Sequence, residues 1–142
     1  MKPLPHRYTV RLAGGPSTYA LVTADDVPEL RTAPPLEFDG PGDAWSPEHL
    51  LLAAVETCFL FSLRAVARAS RIEFTTCDVT AEGTLDRADG ALRFTEITLR
   101  AQLRLAPGTD PDRARRAVEK AERACLISAS LSTPVRIEPE LA

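Results

Sequence analysis

A chain of 142 residues and 15.4 kDa has the length of one domain, here read as a single unit over 1–142. With 44% hydrophobic and 26% charged residues it can build a core, and its net charge of −3 offers no basic footprint for nucleic acid or an anionic membrane. No uninterrupted apolar stretch reaches the ~20 residues of a membrane span, and Met1–Arg7 lacks the apolar middle of a signal peptide. The expectation is a cytoplasmic protein, where three cysteines, an odd number, read as thiols rather than structural disulfides.

Tyr8, Val10 and Leu12 alternate with Thr9 and Arg11, which predicts a half-buried strand. Gly14-Gly15-Pro16-Ser17 turns the chain, and Tyr19 to Thr23 alternates again, so the two segments read as a hairpin. The stretch from Val27 to Pro47 carries Pro28, Pro34, Pro35 and Pro41 with glycines at 40 and 42, and reads as a loop. Ser46 then suits an N-cap and Pro47 the first helical position, with Trp45 and Leu50 placed for a hydrophobic staple. Residues 50–63, LLLAAVETCFLFSL, are apolar on nearly every side. A helix of that kind is buried, and a domain of this size can wrap it only in part, so some of it is expected to face another subunit.

A second strand pair follows. Thr75, Cys77, Val79, Ala81 and Leu85 form one apolar set, Arg87-Ala88-Asp89-Gly90 a turn, and Ile97, Leu99, Ala101, Leu103 and Leu105 another set. The alternation slips at Thr95-Glu96, which predicts a bulge there. Asp110, Pro111 and Asp112 open a second helix whose apolar stripe is Ala114, Ala117, Val118, Ala121 and Ala124, with Arg113, Arg115, Arg116 and Lys120 on a solvated face. It ends near Cys125, and a last short strand runs roughly from Val135 to Ile137.

The chemistry-bearing residues are few. The two histidines, Cys77 and the scattered carboxylates show no metal-ligand spacing, Gly14-Gly15 is no phosphate loop, and neither a metal nor a cofactor is expected. His6 and His49 read as surface or loop residues. A lone cysteine packs as a small hydrophobe, and Cys77, on a strand's apolar face, is read so. Cys58, inside the apolar helix, and Cys125, at the end of the second, lie on segments expected to meet in the core, 67 residues apart along the chain.

Ser46-Pro47-Glu48-His49-Leu50-Leu51-Leu52-Ala53-Ala54, followed by Cys58 and Leu63-Arg64-Ala65, resembles the central-helix signature of the OsmC/Ohr family, the osmotically inducible and organic-hydroperoxide-resistance proteins. Ala121 through Cys125 to Ser128 resembles that family's second motif. The resemblance implies an α+β, OsmC-like fold: antiparallel sheets around a long buried central helix, in an intertwined homodimer. It further implies a thiol peroxidase in which Cys58 attacks the hydroperoxide and becomes a sulfenic acid. Cys125 resolves that acid as a disulfide, and an external dithiol, lipoyl-type or another thiol, regenerates the pair. The family's activating arginine, held by the glutamate matching Glu48, would offset the burial that raises a thiol's pKa.

An unbroken helix rises ~15 Å from residue 48 to 58, so Glu48 cannot touch Cys58 of its own chain. Two such helices antiparallel about a two-fold axis would cross midway, at Ala53 and Ala54, and bring each Glu48 to the partner's Cys58. Glu48 equally suits the N-terminal end of its own helix dipole. The sequence departs from the family at the arginine: the first turn reads Gly14-Gly15-Pro16-Ser17-Thr18, and Glu37 precedes Phe38-Asp39-Gly40. Arg31 is the nearest substitute, with Arg7 and Arg11 behind it, and Leu126 stands where the family has proline. The departures leave a second reading open, a binding protein that keeps the dimer fold without peroxidatic chemistry and holds a small apolar or acyl ligand.

Overall fold

The computed structural model describes residues 1–142, which divide into two compact units, Met1–Leu50 and Leu51–Ala142. The first holds β1 (Arg11–Ala13), β2 (Ala20–Thr23) and β3 (Leu30–Thr32), antiparallel in the order β1-β2-β3. The predicted hairpin is present, with Arg11 opposite Thr23. It is shorter than the alternation suggested, and Tyr8, Val10 and Leu12 are 88%, 65% and 69% exposed rather than half-buried. The reason is area: strands of three and four residues make too small a sheet to bury the apolar side chains beside it.

The segment read as loop is more ordered than its composition implied. Leu30-Arg31-Thr32 is too short to show alternation, yet it pairs with β2, and Thr32 Oγ1 donates to the Ala20 carbonyl at 3.0 Å. A 3-10 turn follows at Leu36–Phe38, where the Phe38 and Gly40 amides both donate to the Pro35 carbonyl at 3.0 and 2.9 Å. Asp39 takes the left-handed conformation, φ 60°, and any side chain at Gly40 would run into the Pro34 carbonyl. The Ala33 amide then donates to the Trp45 carbonyl, tying this turn to the start of the helix.

Helix α1 (Pro47–Ser70) begins in the first unit and continues through the second. Ser46 is its N-cap as predicted: its buried hydroxyl accepts from the His49 amide at 3.2 Å. By length and composition this helix could cross a membrane, because charges are sparse across it although no single run is uninterrupted. It is instead the core helix of the second unit. Val55, Phe59, Leu63, Val66 and Ala67 are buried, one stripe at helical spacing. The domain wraps the helix only in part, burying that stripe and leaving Phe61 58% exposed.

The stripe joins Ile97, Leu99, Ala101 and Leu103 of the sheet and Ala114, Ala117, Val118 and Ala121 of α2 (Pro111–Ala124) in one core. The sheet has β5 (Ala91–Leu105) at its centre, β4 (Phe74–Ala88) antiparallel on one side and β6 (Val135–Leu141) parallel on the other. The second sheet is thus mixed, which corrects the expectation of antiparallel sheets. The segment between β5 and β6 is a helical crossover, and a crossover returns the chain to the strand's starting end.

The bulge falls where the alternation slips: Thr84 faces Glu96 and Leu85 faces Phe94, leaving Thr95 unpaired. A second irregularity isolates Thr75, which is exposed rather than in line with Cys77, and Leu85 is exposed as well. Gly83 faces inward on β4, where an added Cβ would lie 2.8 Å from Phe94 and 2.9 Å from Leu52. On α2, Asp110 caps the first turn by accepting from the Asp112 amide at 2.9 Å; Ala124, predicted apolar stripe, is exposed in the last turn.

Candidate active site: an asymmetric cysteine pair

Helix α2 stops at Ala124 because Cys125 turns to extended backbone, φ −69° and ψ 108°, before a four-residue helix, α3 (Leu126–Ala129), that the sequence reading did not foresee. That turn brings Cys125 against α1. Cys58 and Cys125 are both free thiols, and the two lie near enough to influence each other's ionisation. Cys58 is half-buried and Cys125 buried.

Their surroundings make the two sulfurs unequal. Burial pushes the Cys58 thiol up, but this is outweighed by donors to its sulfur: the Ile127 amide, the Cys125 thiol, the Ser62 hydroxyl and the Leu126 amide. The net effect holds Cys58 below the ordinary thiol value. Cys125 moves the other way: burial raises it foremost, the Ser128 hydroxyl and amide lower it in part, and its bond to Cys58 raises it again. The Ser128 hydroxyl donates to Cys125 Sγ at 3.3 Å. The pair shares its first ionisation, and the arrangement puts that charge on Cys58. Such a pair can supply a thiolate beside a second thiol, the requirement for forming and breaking a disulfide.

Cys77, by contrast, is half-buried on β4 beside the core, and its thiol is pushed up by burial and by the Asp78 carboxylate. It packs against the core cluster, on the face the alternation predicted. Ser62 and Ser128 were not singled out for a role. Their spacing was the available signal: Ser62 stands four residues after Cys58 on the same helix face, and Ser128 three after Cys125.

Glu48 lies in the first turn of α1, half-buried, with its Oε2 atom buried and without a hydrogen-bond partner. It lines an apolar groove of about 490 Å³ within the first unit, together with Leu12, Ala20, Val22, Phe38 and Leu50. Two of the three arginines of this unit, Arg31 and Arg11, are engaged elsewhere. Arg31 sits 4.3 Å over the Tyr19 ring and donates to the Asp43 carbonyl at 3.2 Å, while the Tyr19 hydroxyl donates to both Asp43 carboxylate oxygens at 2.8 and 2.9 Å. Arg11 pairs with Asp25 at 3.0 Å, and Arg7 is exposed. His49 shares its ring nitrogen with the Ser46 hydroxyl at 2.7 Å and meets Trp45 edge-on. No group of three or more His, Cys, Asp or Glu side chains is placed to hold a metal ion.

An α+β chain with two three-stranded sheets and a long core helix defines the class: a protein of OsmC-like fold. The OsmC-like protein family model matches residues 40–140, and the chain belongs to that family. The uncharacterized protein YmaD of Bacillus subtilis is 30% identical over 109 residues, 75% of this chain and 73% of that one. Peroxiredoxin OsmC of Escherichia coli is 28% identical over 96 residues, 68% of this chain and 66% of that one. Among solved structures, an OsmC-like protein of unknown function from Vibrio cholerae superposes with a TM-score of 0.89 at 16% identity, over 96% of this chain and 100% of that chain, which shows a common fold.

Proposed function

We propose that the protein is a thiol-dependent peroxidase acting on organic hydroperoxides, and on hydrogen peroxide as a smaller analogue. The observation that carries the reading is the contact between Cys58 and Cys125, with Cys58 the more acidic of the two. In the reaction the Cys58 thiolate attacks the terminal oxygen of ROOH. The O–O bond breaks, RO⁻ leaves and takes up a proton as ROH, and Cys58 becomes a sulfenic acid. Cys125 sulfur then attacks that sulfur; an S–S bond forms, the S–O bond breaks, and the hydroxyl leaves as water with the Cys125 proton. A lipoyl-type or other dithiol reduces the disulfide by two exchange steps and is itself oxidised. The similarity to a peroxiredoxin supports the substrate class. Free thiols used in this way suit the cytoplasm.

The same reading includes a homodimer. Helix α1 leaves Phe61 exposed and Ala53 and Ala54 only half-buried, so it has apolar surface for a second copy. Antiparallel crossing at these alanines carries Glu48 of each protomer toward Cys58 of the other. The unpartnered Oε2 favours an outside partner for Glu48, since a buried acceptor without a donor costs about 1–3 kcal/mol.

Turnover of cumene or tert-butyl hydroperoxide with dihydrolipoamide tests the assignment. Wild type consumes peroxide, Cys58→Ser does not, and Cys125→Ser accumulates a sulfenic acid at Cys58. Peroxide consumption by Cys58→Ser at the wild-type rate overturns the reading. A second reading, a non-peroxidatic binding protein, is favoured by the apolar groove and by the engagement of Arg31 with Tyr19 and Asp43. Absence of a Cys58–Cys125 disulfide after peroxide treatment supports that one instead.

A further inference from the structure

The groove in the first unit is apolar except at one point. Leu12, Val22, Phe38 and Leu50 border it, and among the side chains that line its 490 Å³ only Glu48 carries a charge. A second cavity, of about 560 Å³, shares Thr18 and Pro34 with the groove, and its single charged side chain is Asp39. The chain's net charge of −3 also lies in this unit, since Met1–Leu50 holds seven Asp and Glu against four Lys and Arg. We propose that the groove binds an apolar molecule with a protonated amine at one end, the ammonium on the Glu48 carboxylate and the hydrocarbon along Leu12, Val22, Phe38 and Leu50.

The carboxylate selects the ligand. Glu48 Oε2 is buried without a hydrogen-bond partner, and none of the chain's ion pairs includes Glu48. An ammonium group brings three donors and a full positive charge, so it supplies both what the oxygen lacks and what the charge attracts. Hydrogen bonds with an ionised partner are roughly twice as strong as neutral ones. The cations of the unit do not compete: Arg31 lies over Tyr19, Arg11 pairs with Asp25, and neither lines either cavity. An acyl acid would instead set a second carboxylate against Glu48. The start of α1 offers such an anion little in return, although a helix N-terminus favours negative charge. Pro47 lines the groove without an N–H, Ser46 Oγ takes the His49 amide, and the Ser46 carbonyl takes the Leu50 amide.

The inference rests on the groove as a ligand site, the second reading above, and needs no reaction at Cys58. Three probes of equal chain length separate the head group from the hydrocarbon: n-octylammonium, 1-octanol and octanoate. An alkylamine is protonated at neutral pH as the lysine side chain is. Each probe is titrated into the full chain at neutral pH, and the amide shifts in nitrogen-15 NMR give both the affinity and the place. Glu48→Gln keeps the length and shape of the side chain and removes its charge, with the Ser46 cap untouched.

n-Octylammonium is expected to bind about tenfold tighter than 1-octanol or octanoate, moving the amides of Leu12, Val22 and Phe38. Glu48→Gln is expected to lose that tenfold while binding 1-octanol as the wild type does. Equal affinity for n-octylammonium and 1-octanol overturns the proposal and leaves an apolar site without a preference for charge. Tighter binding of octanoate overturns it as well, as do n-octylammonium shifts confined to Leu51–Ala142 or an undiminished affinity in Glu48→Gln. Should Glu48→Gln fail to fold, the ranking of the three probes on the wild type decides. If none of the three binds, this inference falls together with the second reading. No readout uses peroxide, so each of these results leaves the peroxidase reading to its own test.

Discussion

At the scale of the residue, the two thiols differ through what each accepts and donates. Cys58 is held down by nearby amide and hydroxyl donors that outweigh its burial, while Cys125, which lies deeper in the core, is raised foremost by burial. The sign for reactivity follows directly. A thiol held below its ordinary value exposes thiolate at lower pH, and a raised one withholds it. Iodoacetamide at neutral pH is therefore expected to modify Cys58 ahead of Cys125 and Cys77, with the order converging as pH rises through the ordinary thiol range. Peptide mapping after timed alkylation checks this, and equal labelling of Cys58 and Cys77 at neutral pH would contradict the asymmetry. Cys77 is the internal comparison because burial and Asp78 both raise it.

Among the elements, α1 is placed by close packing on β4 and β5. Gly83 is the point where this packing allows no side chain, with Phe94 and Leu52 both inside normal contact distance of an added Cβ. Gly83→Ala is expected to destabilise the protein by about 1–3 kcal/mol, the cost of an overpacked core. It does so by pressing on the turn of α1 that carries Leu52, six residues before Cys58. Urea denaturation measures the loss, and wild-type stability would show that the helix shifts without cost. Helix α3 is the second decisive element. It is too short to announce itself by periodicity, and it follows directly on the turn at Cys125.

For the whole molecule, the apolar content of α1 exceeds what one chain buries. One stripe enters the core, and the remainder, Phe61 included, is left partly open. Exposed apolar surface on a long helix marks an association surface, and the dimer proposed above uses it. Ala53→Arg, which sets a charge at the proposed crossing, is expected to halve the mass measured by sedimentation and to abolish hydroperoxide turnover. The fold of the Leu51–Ala142 unit is retained in the variant, seen as unchanged far-ultraviolet circular dichroism. An undiminished dimer would place the two-fold axis elsewhere.

The sequence by itself determined the elements that carry strong local signals. Ser46-Pro47 and Asp110-Pro111 mark helix starts because capping is a local exchange of hydrogen bonds, and the phase slip at Thr95 marks a bulge because alternation registers each extra residue. Two motifs of fixed spacing also pointed to the family. Tertiary structure alone decided the parallel placement of β6, the three-residue strand β3, the exposure of Tyr8 and Val10, and the engagement of Arg31 with Tyr19 and Asp43. These depend on which distant surfaces meet, and no window of neighbouring residues encodes that. The same holds for the sulfur environment, which the turn at Cys125 decides and which no local sequence pattern records.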